Sequence, residues 1–149
     1  MLSRIFLVIA SFSMICLPSI QSARADTIRP CLLPAGATEV PYETDAPAIL
    51  RTALAQSVGD IVPAGAPFDA TDVVMTGRNR RILFAWNRGN RWVVATEQGG
   101  RGYSDPVFAY DVGLDGSMAT MVAQRSAFPS TVCATALALL TLPPQQSGH

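Results

Sequence analysis

The sequence predicts a single small α+β domain: an N-terminal amphipathic helix, an antiparallel meander of four to five strands, and a C-terminal apolar helix. Three observations carry this. Two runs, Arg81-Ile82-Leu83-Phe84-Ala85-Trp86 and Arg91-Trp92-Val93-Val94-Ala95-Thr96-Glu97, are apolar, aromatic and β-branched, the composition of adjacent strands. A second pair, residues 107–112 and 118–123, flanks Asp115-Gly116, a strong signal for a tight hairpin turn. Ala46, Ile49, Leu50, Ala53, Leu54 and Val58 recur at helical spacing, so they line one face of a helix.

In chain order, residues 1–25 carry an export signal rather than fold: Arg4 supplies a positive start, an apolar run ends before Pro18, and Ala23-Arg24-Ala25 is an A-x-A cleavage site. The apolar run is shorter than the ~20 residues of a membrane-spanning helix, so cleavage leaves no transmembrane segment. Residues 26–142 form the domain and 143–149 a disordered tail. The domain opens on a segment punctuated by Pro30, Pro34 and Pro41. Thr44 or Asp45 caps the first helix, Pro47 fits its first turn, and Gly59 stops it. After a connector with Pro63, Gly65 and Pro67, Val73-Val74-Met75 reads as a short strand.

The first long hairpin admits two registers. A two-residue Gly89-Asn90 loop would set Arg88 opposite Arg91, an unfavourable like-charge pair. A three-residue loop Asn87-Arg88-Gly89 avoids this and pairs Phe84 with Trp92 and Ile82 with Val94; it is the expected register. In the second hairpin Val112 should face Ala119, Tyr110 Met121 and Phe108 Ala123, making one core face. The other face, with Val107, Ala109 and Asp111, is mixed, as for a sheet covered on one side. The stripe of the first helix should pack on Phe108, Tyr110 and Met121. Residues 132–142 form the last helix, capped by Ser130 or Thr131, apolar nearly all round and so expected to be buried on more than one side.

Export makes Cys31 and Cys133 a disulfide pair, closing most of the domain into one loop. They are not spaced as a redox C-x-x-C, and two thiols with no neighbouring histidine do not make a zinc site. No metal or other cofactor is expected.

The chain has formal net charge +0 and slightly acidic character once the signal is removed, which argues against nucleic acid as a partner. It has no Lys, and its one His is His149. Serine and cysteine nucleophile templates therefore lack a base in the body of the fold. The arginines are the anomaly. Arg78, Arg80, Arg81, Arg88, Arg91 and Arg101 crowd one stretch whose only acid is Glu97. Guanidinium forks match carboxylate, phosphate and sulfate groups. The reading from sequence is an exported, periplasmic or secreted, non-enzymatic binding module that contacts an anionic ligand or an envelope protein through Arg88, Arg91 and Arg101. The alternatives are a small exported enzyme with a carboxylate-based site, drawing on Asp69, Asp72, Glu97, Asp105, Asp111 and Asp115, or an accessory subunit of an envelope complex.

Overall fold

A computed structural model describes residues 31–70 and 79–143. The export signal, the tail beyond Pro143 and the strand expected at Val73-Val74-Met75 lie outside the described residues. Five antiparallel strands form one sheet in the order of the chain: β1 (Thr38–Glu39), β2 (Arg80–Arg88), β3 (Arg91–Gln98), β4 (Asp105–Val112) and β5 (Ala119–Ala127). Three helices accompany it: a single turn α1 (Tyr42–Asp45), α2 (Ala48–Val58) and α3 (Val132–Leu140). The fifth strand is thus drawn from the Pro-punctuated segment, which pairs Glu39 with Trp86 at the edge of β2.

The sheet is covered on both faces, not one. The first six residues of β3 are all buried, so its side chains need apolar cover on either side. On one face Ile82, Trp92, Val94, Phe108 and Tyr110 pack with Tyr42, Leu50 and Leu54 of the first two helices. On the other, Phe84, Trp86, Val93, Val107 and Ala109 pack with Val132, Ala136, Leu139 and Leu140 of α3. Val107 and Ala109, expected on a mixed face, are therefore core. Trp86 stacks on Phe84 with ring centroids 4.4 Å apart.

Several local expectations change. The β2–β3 loop is the two-residue Gly89-Asn90, with Gly89 at φ 64 and Arg88 opposite Arg91. The like-charge objection fails because Arg91 has a second neighbour: Asp111 faces it from β4 and draws its guanidinium away. Leu83 forms a bulge, so Ile82 and Phe84 turn to opposite faces. In the second hairpin Val112–Ala119 and Tyr110–Met121 pair as expected, but a bulge at Val122 then sets Ala109 opposite Ala123 and Phe108 opposite Gln124. Met121 is 37% exposed and stands apart from the core cluster of Leu50 and Leu54.

The helix ends also depart from the simplest capping chemistry. Pro47, not Thr44 or Asp45, precedes α2, and no side chain caps its start. Gly59, at φ 78, closes it by donating its N–H to Ala55 O. Thr131 precedes α3, but its hydroxyl accepts the Phe128 N–H in the preceding turn instead of capping the helix. Helix α3 buries one face only; Ala134, Leu137 and Ala138 are exposed.

Cys31 and Cys133 are disulfide-bonded with Cα atoms 5.5 Å apart, and both pack against the α3-side core. The bond ties the beginning of the described chain to the first turn of α3. Cys133→Ser is expected to cost about 2–5 kcal/mol, a fall in Tm on the order of 10 °C for a domain of this size, measured by thermal denaturation of oxidised protein. An unchanged Tm would mean that packing alone holds this segment.

Candidate functional site

The arginine-rich stretch separates into side chains with different structural tasks. Strand alternation directs Arg80 toward α2, where it donates to Val58 O at that helix's C-terminus and, at 3.4 Å, to Gln98 Oε1. Arg91 points to the opposite face. Its Nε donates to Asp111 Oδ1 at 2.6 Å and its NH2 nitrogen to Oδ2 at 3.2 Å, while its NH1 nitrogen reaches Leu139 O at 3.1 Å and Leu142 O at 3.4 Å. The two longer helices, α2 and α3, are therefore each capped at the C-terminal end by a guanidinium from a neighbouring strand. Arg81 lies across from Glu97, pairs with it through Nε at 3.1 Å, donates to Ala66 O, and lies under the Phe68 ring 4.3 Å from its centroid.

The three arginines expected to converge on one anion do not. Arg91 is 6% exposed and engaged as described. Arg88 is exposed at the β2–β3 tip, and Arg101 is exposed in the β3–β4 loop. Successive loops of a meander fall at opposite ends of their shared strand, so the eight residues of β3 separate them by roughly 25 Å. Arg78 lies outside the described residues.

A different cluster emerges at the Arg101 end, on the α3 face. Arg81 on β2, Glu97 on β3 and Asp105 on β4 form a transverse row; the ladder from Ala95–Val107 to the Gln98–Ser104 bridge sets Glu97 beside Asp105. Tyr103 donates its hydroxyl to Glu97 Oε1 at 2.6 Å. Burial, and then this bond to a carboxylate, raise the Tyr103 pKa. Asp105 is 0% exposed, and neither of its carboxyl oxygens has a hydrogen-bond partner. Burial first, and the Glu97 carboxylate second, push its pKa up to about 6.

The loop over this row, residues 99–104, is held by its glycines. Gly100 and Gly102 have φ 96 and 84, a conformation that L residues with a Cβ rarely adopt. Gly99 is needed for space: a Cβ there would lie 2.4 Å from Asp69 O and 2.5 Å from Ala70 Cα. A separate cavity of about 270 Å³ lies between the first helices and the following connector, lined by Tyr42, Arg51, Asp60, Ile61 and Ile82 among others. Among the described residues no group of three or more His, Cys, Asp or Glu is placed to hold a metal ion, and no helix is long and apolar enough to cross a membrane.

No protein-family model, curated protein or solved structure matches this chain.

Sequence reasoning grouped Asp105 with five other acids but had no means of singling it out. Its burial follows from the two-sided cover of β4, which the run Pro106-Val107-Phe108-Ala109-Tyr110, with no polar alternation, already signals.

These contacts set the expected stability of three variants. Arg91→Ala removes one partner of a largely buried ion pair and the α3 cap together, and is expected to cost about 3 kcal/mol; Arg88→Ala is expected to stay within about 0.5 kcal/mol of the parent. Urea denaturation of the two variants separates them, and equal effects would contradict the division between a structural and a surface arginine. Gly99→Ala forces a Cβ into backbone atoms that no rotamer change can move, so it should lose about 1–3 kcal/mol in the same assay; a neutral result would mean that residues 69–70 shift freely away from the loop.

Proposed function

We propose that the chain is an exported, non-enzymatic interaction module that takes up an acidic, extended segment of an envelope or secreted partner along β5. The observation that carries this is the outer edge of β5. Among the described residues this nine-residue strand has a strand neighbour on one side only, so the backbone groups on its other side are a template for a further strand. The edge carries few of the features that discourage such pairing: no Pro and a single charge, Arg125, alongside the bulge at Val122. Leu114, Met118, Met121 and Phe128 are exposed around it, and flexible methionines adapt to apolar side chains of varied shape. Arg125 has no acid beside it on the strand, which favours an acidic residue in the partner.

Export is supported by the A-x-A signal and by the Cys31–Cys133 disulfide, whose formation suits an oxidising compartment. An anionic group contacting Arg88 at the hairpin tip is a separate mode of binding at the other end of β3, and it does not draw on Arg91.

The test installs a photo-crosslinking residue at Thr120 in the native host, identifies the captured protein by mass spectrometry, and measures its binding to purified variants. Arg125→Glu is expected to weaken binding at least tenfold with Tm unchanged, and Arg88→Ala to leave it intact. The reverse result would move the contact to the hairpin tip. Binding unaffected by both would remove β5 as the docking edge.

A second reading has one observation of its own. Glu97, paired with Arg81, and Asp105, its pKa pushed up to about 6 by burial, are neighbouring carboxyl groups in unlike environments, the condition that divides base from acid in hydrolytic pairs. It requires Asp105 to become accessible to a substrate. A hydrolysis screen with Asp105→Asn as the control decides it.

A further inference from the structure

We propose that Asp105 is a proton-controlled latch: in its neutral form it keeps the β3–β4 loop closed over the end of the sheet, and on losing its proton it drives residues 99–104 to open locally, exposing the Glu97–Asp105 carboxylate pair.

The motivation is the combination of complete burial and absent partners. A neutral carboxyl group tolerates an apolar enclosure far better than a carboxylate, which needs a cation or several N–H donors in exchange for its lost water. Asp105 has neither. Among the described residues, the groups around it offer a negative charge no partner. From β3 comes Glu97, a second carboxyl group that opposes ionisation of Asp105. The guanidinium nearest in the row, Arg81 on β2, is already committed to Glu97, Ala66 O and the Phe68 ring. From β5 the opposite residue is Ala127. Across the loop, Tyr103 is bonded to Glu97. On the α3 face, the core that covers β4 includes Val132 and the disulfide-bonded Cys133, neither of them charged. At the other end of the same strand Asp111 has Arg91; Asp105 has no counterpart to it.

The loop is the element able to yield. Between β3 and β4 it is attached by one bridge between Gln98 and Ser104, with hydrogen bonds of 2.9 and 3.3 Å, by the Gly99 N–H donated to Asn79 O, and by the Tyr103 hydroxyl donated to Glu97. Beyond these it is glycine-rich. Opening would hydrate Asp105 without disturbing the two-sided core of β3. The proton released on ionisation passes to solvent, and no other covalent change is involved.

The sign is the reverse of an ordinary salt-bridged aspartate. Between 3.8, the value of a hydrated aspartate, and about 6, the closed form binds a proton that the open form has lost. Closure is therefore strongest in acid and weakens as pH rises through this window. Above it the closed form has lost about a hundredfold in its equilibrium with the open form, tenfold for each pH unit between the two values. Between pH 5 and pH 7.5 the expected change is about tenfold.

Backbone hydrogen exchange at these two pH values, corrected for intrinsic rates, reads this directly. Amides of residues 99–104 should lose about tenfold in protection at pH 7.5 while Val93 and Val94 stay protected, and Asp105→Asn should abolish the difference. Equal loss across β3 would indicate global destabilisation and overturn the latch, as would a pH effect that survives in Asp105→Asn. Should that variant not fold, carbon-detected NMR titration of the Asp105 carboxyl in the unaltered protein decides: a midpoint near 6 supports the latch and an ordinary aspartate midpoint overturns it. None of these outcomes depends on a partner binding at β5.

Discussion

Burial of β3 on both faces is the constraint from which the rest of this architecture follows. Trp92, Val93, Val94, Ala95 and Thr96 have no solvent-facing member, so one helix layer cannot satisfy the strand. The chain supplies α1 and α2 before the long strands and α3 after them, one group to each face. Both long helices then end near polar strand termini, leaving carbonyls with no intrahelical donor. Arg80 and Arg91 reach these carbonyls from opposite faces of the sheet. The arginine-rich character of β2 and β3 is in large part a consequence of needing two helix caps and two ion pairs within one compact meander.

The charged rows at the two ends of β3 make the same point by contrast. At one end Arg88, Arg91 and Asp111 lie side by side; at the other, Arg81, Glu97 and Asp105 do. Each row has a like-charged pair and an opposite-charged pair. In the first, the surplus group is Arg88, which stands in water and loses little. In the second, the surplus group is Asp105, which is enclosed. The charge patterns are near mirror images; Arg88 is exposed, whereas Asp105 is enclosed beside the Glu97 carboxyl group.

The sequence made the antiparallel meander and the turn at Asp115-Gly116 legible, because local turn chemistry and strand composition suffice for both. It also pointed to Cys31 and Cys133. Register was harder. Weighing Arg88 against Arg91 as an isolated pair led to the wrong loop, because the deciding residue, Asp111, lies on another strand and is visible only once β3 and β4 are aligned. The bulges at Leu83 and Val122 were invisible for a related reason: each is a compromise between cross-strand packing and sheet twist. Two-sided burial did leave a signal in the unbroken apolar runs of β3 and β4, but the polar tail of β5 masked it. The convergence of Arg88 with Arg101 was excluded by connectivity alone, since adjoining loops of a meander point in opposite directions.

Polar side chains recruited into caps and ion pairs are poor candidates for recognition, because a ligand would have to replace contacts on which the fold relies. This separates Arg80, Arg81 and Arg91 from Arg88, Arg101 and Arg125, although all six belong to a single composition. It also explains why the more informative features are ones of incompleteness. The outer edge of β5 has backbone groups with no strand to meet among the described residues, and Asp105 has a carboxyl group with no donor to meet. A fold that caps two helices with arginines drawn from neighbouring strands and closes its chain with a disulfide has means to complete both. The open edge is the last strand of the sheet and the open carboxyl is the first residue of β4, so neither lies on β3, whose two faces hold the packed layers.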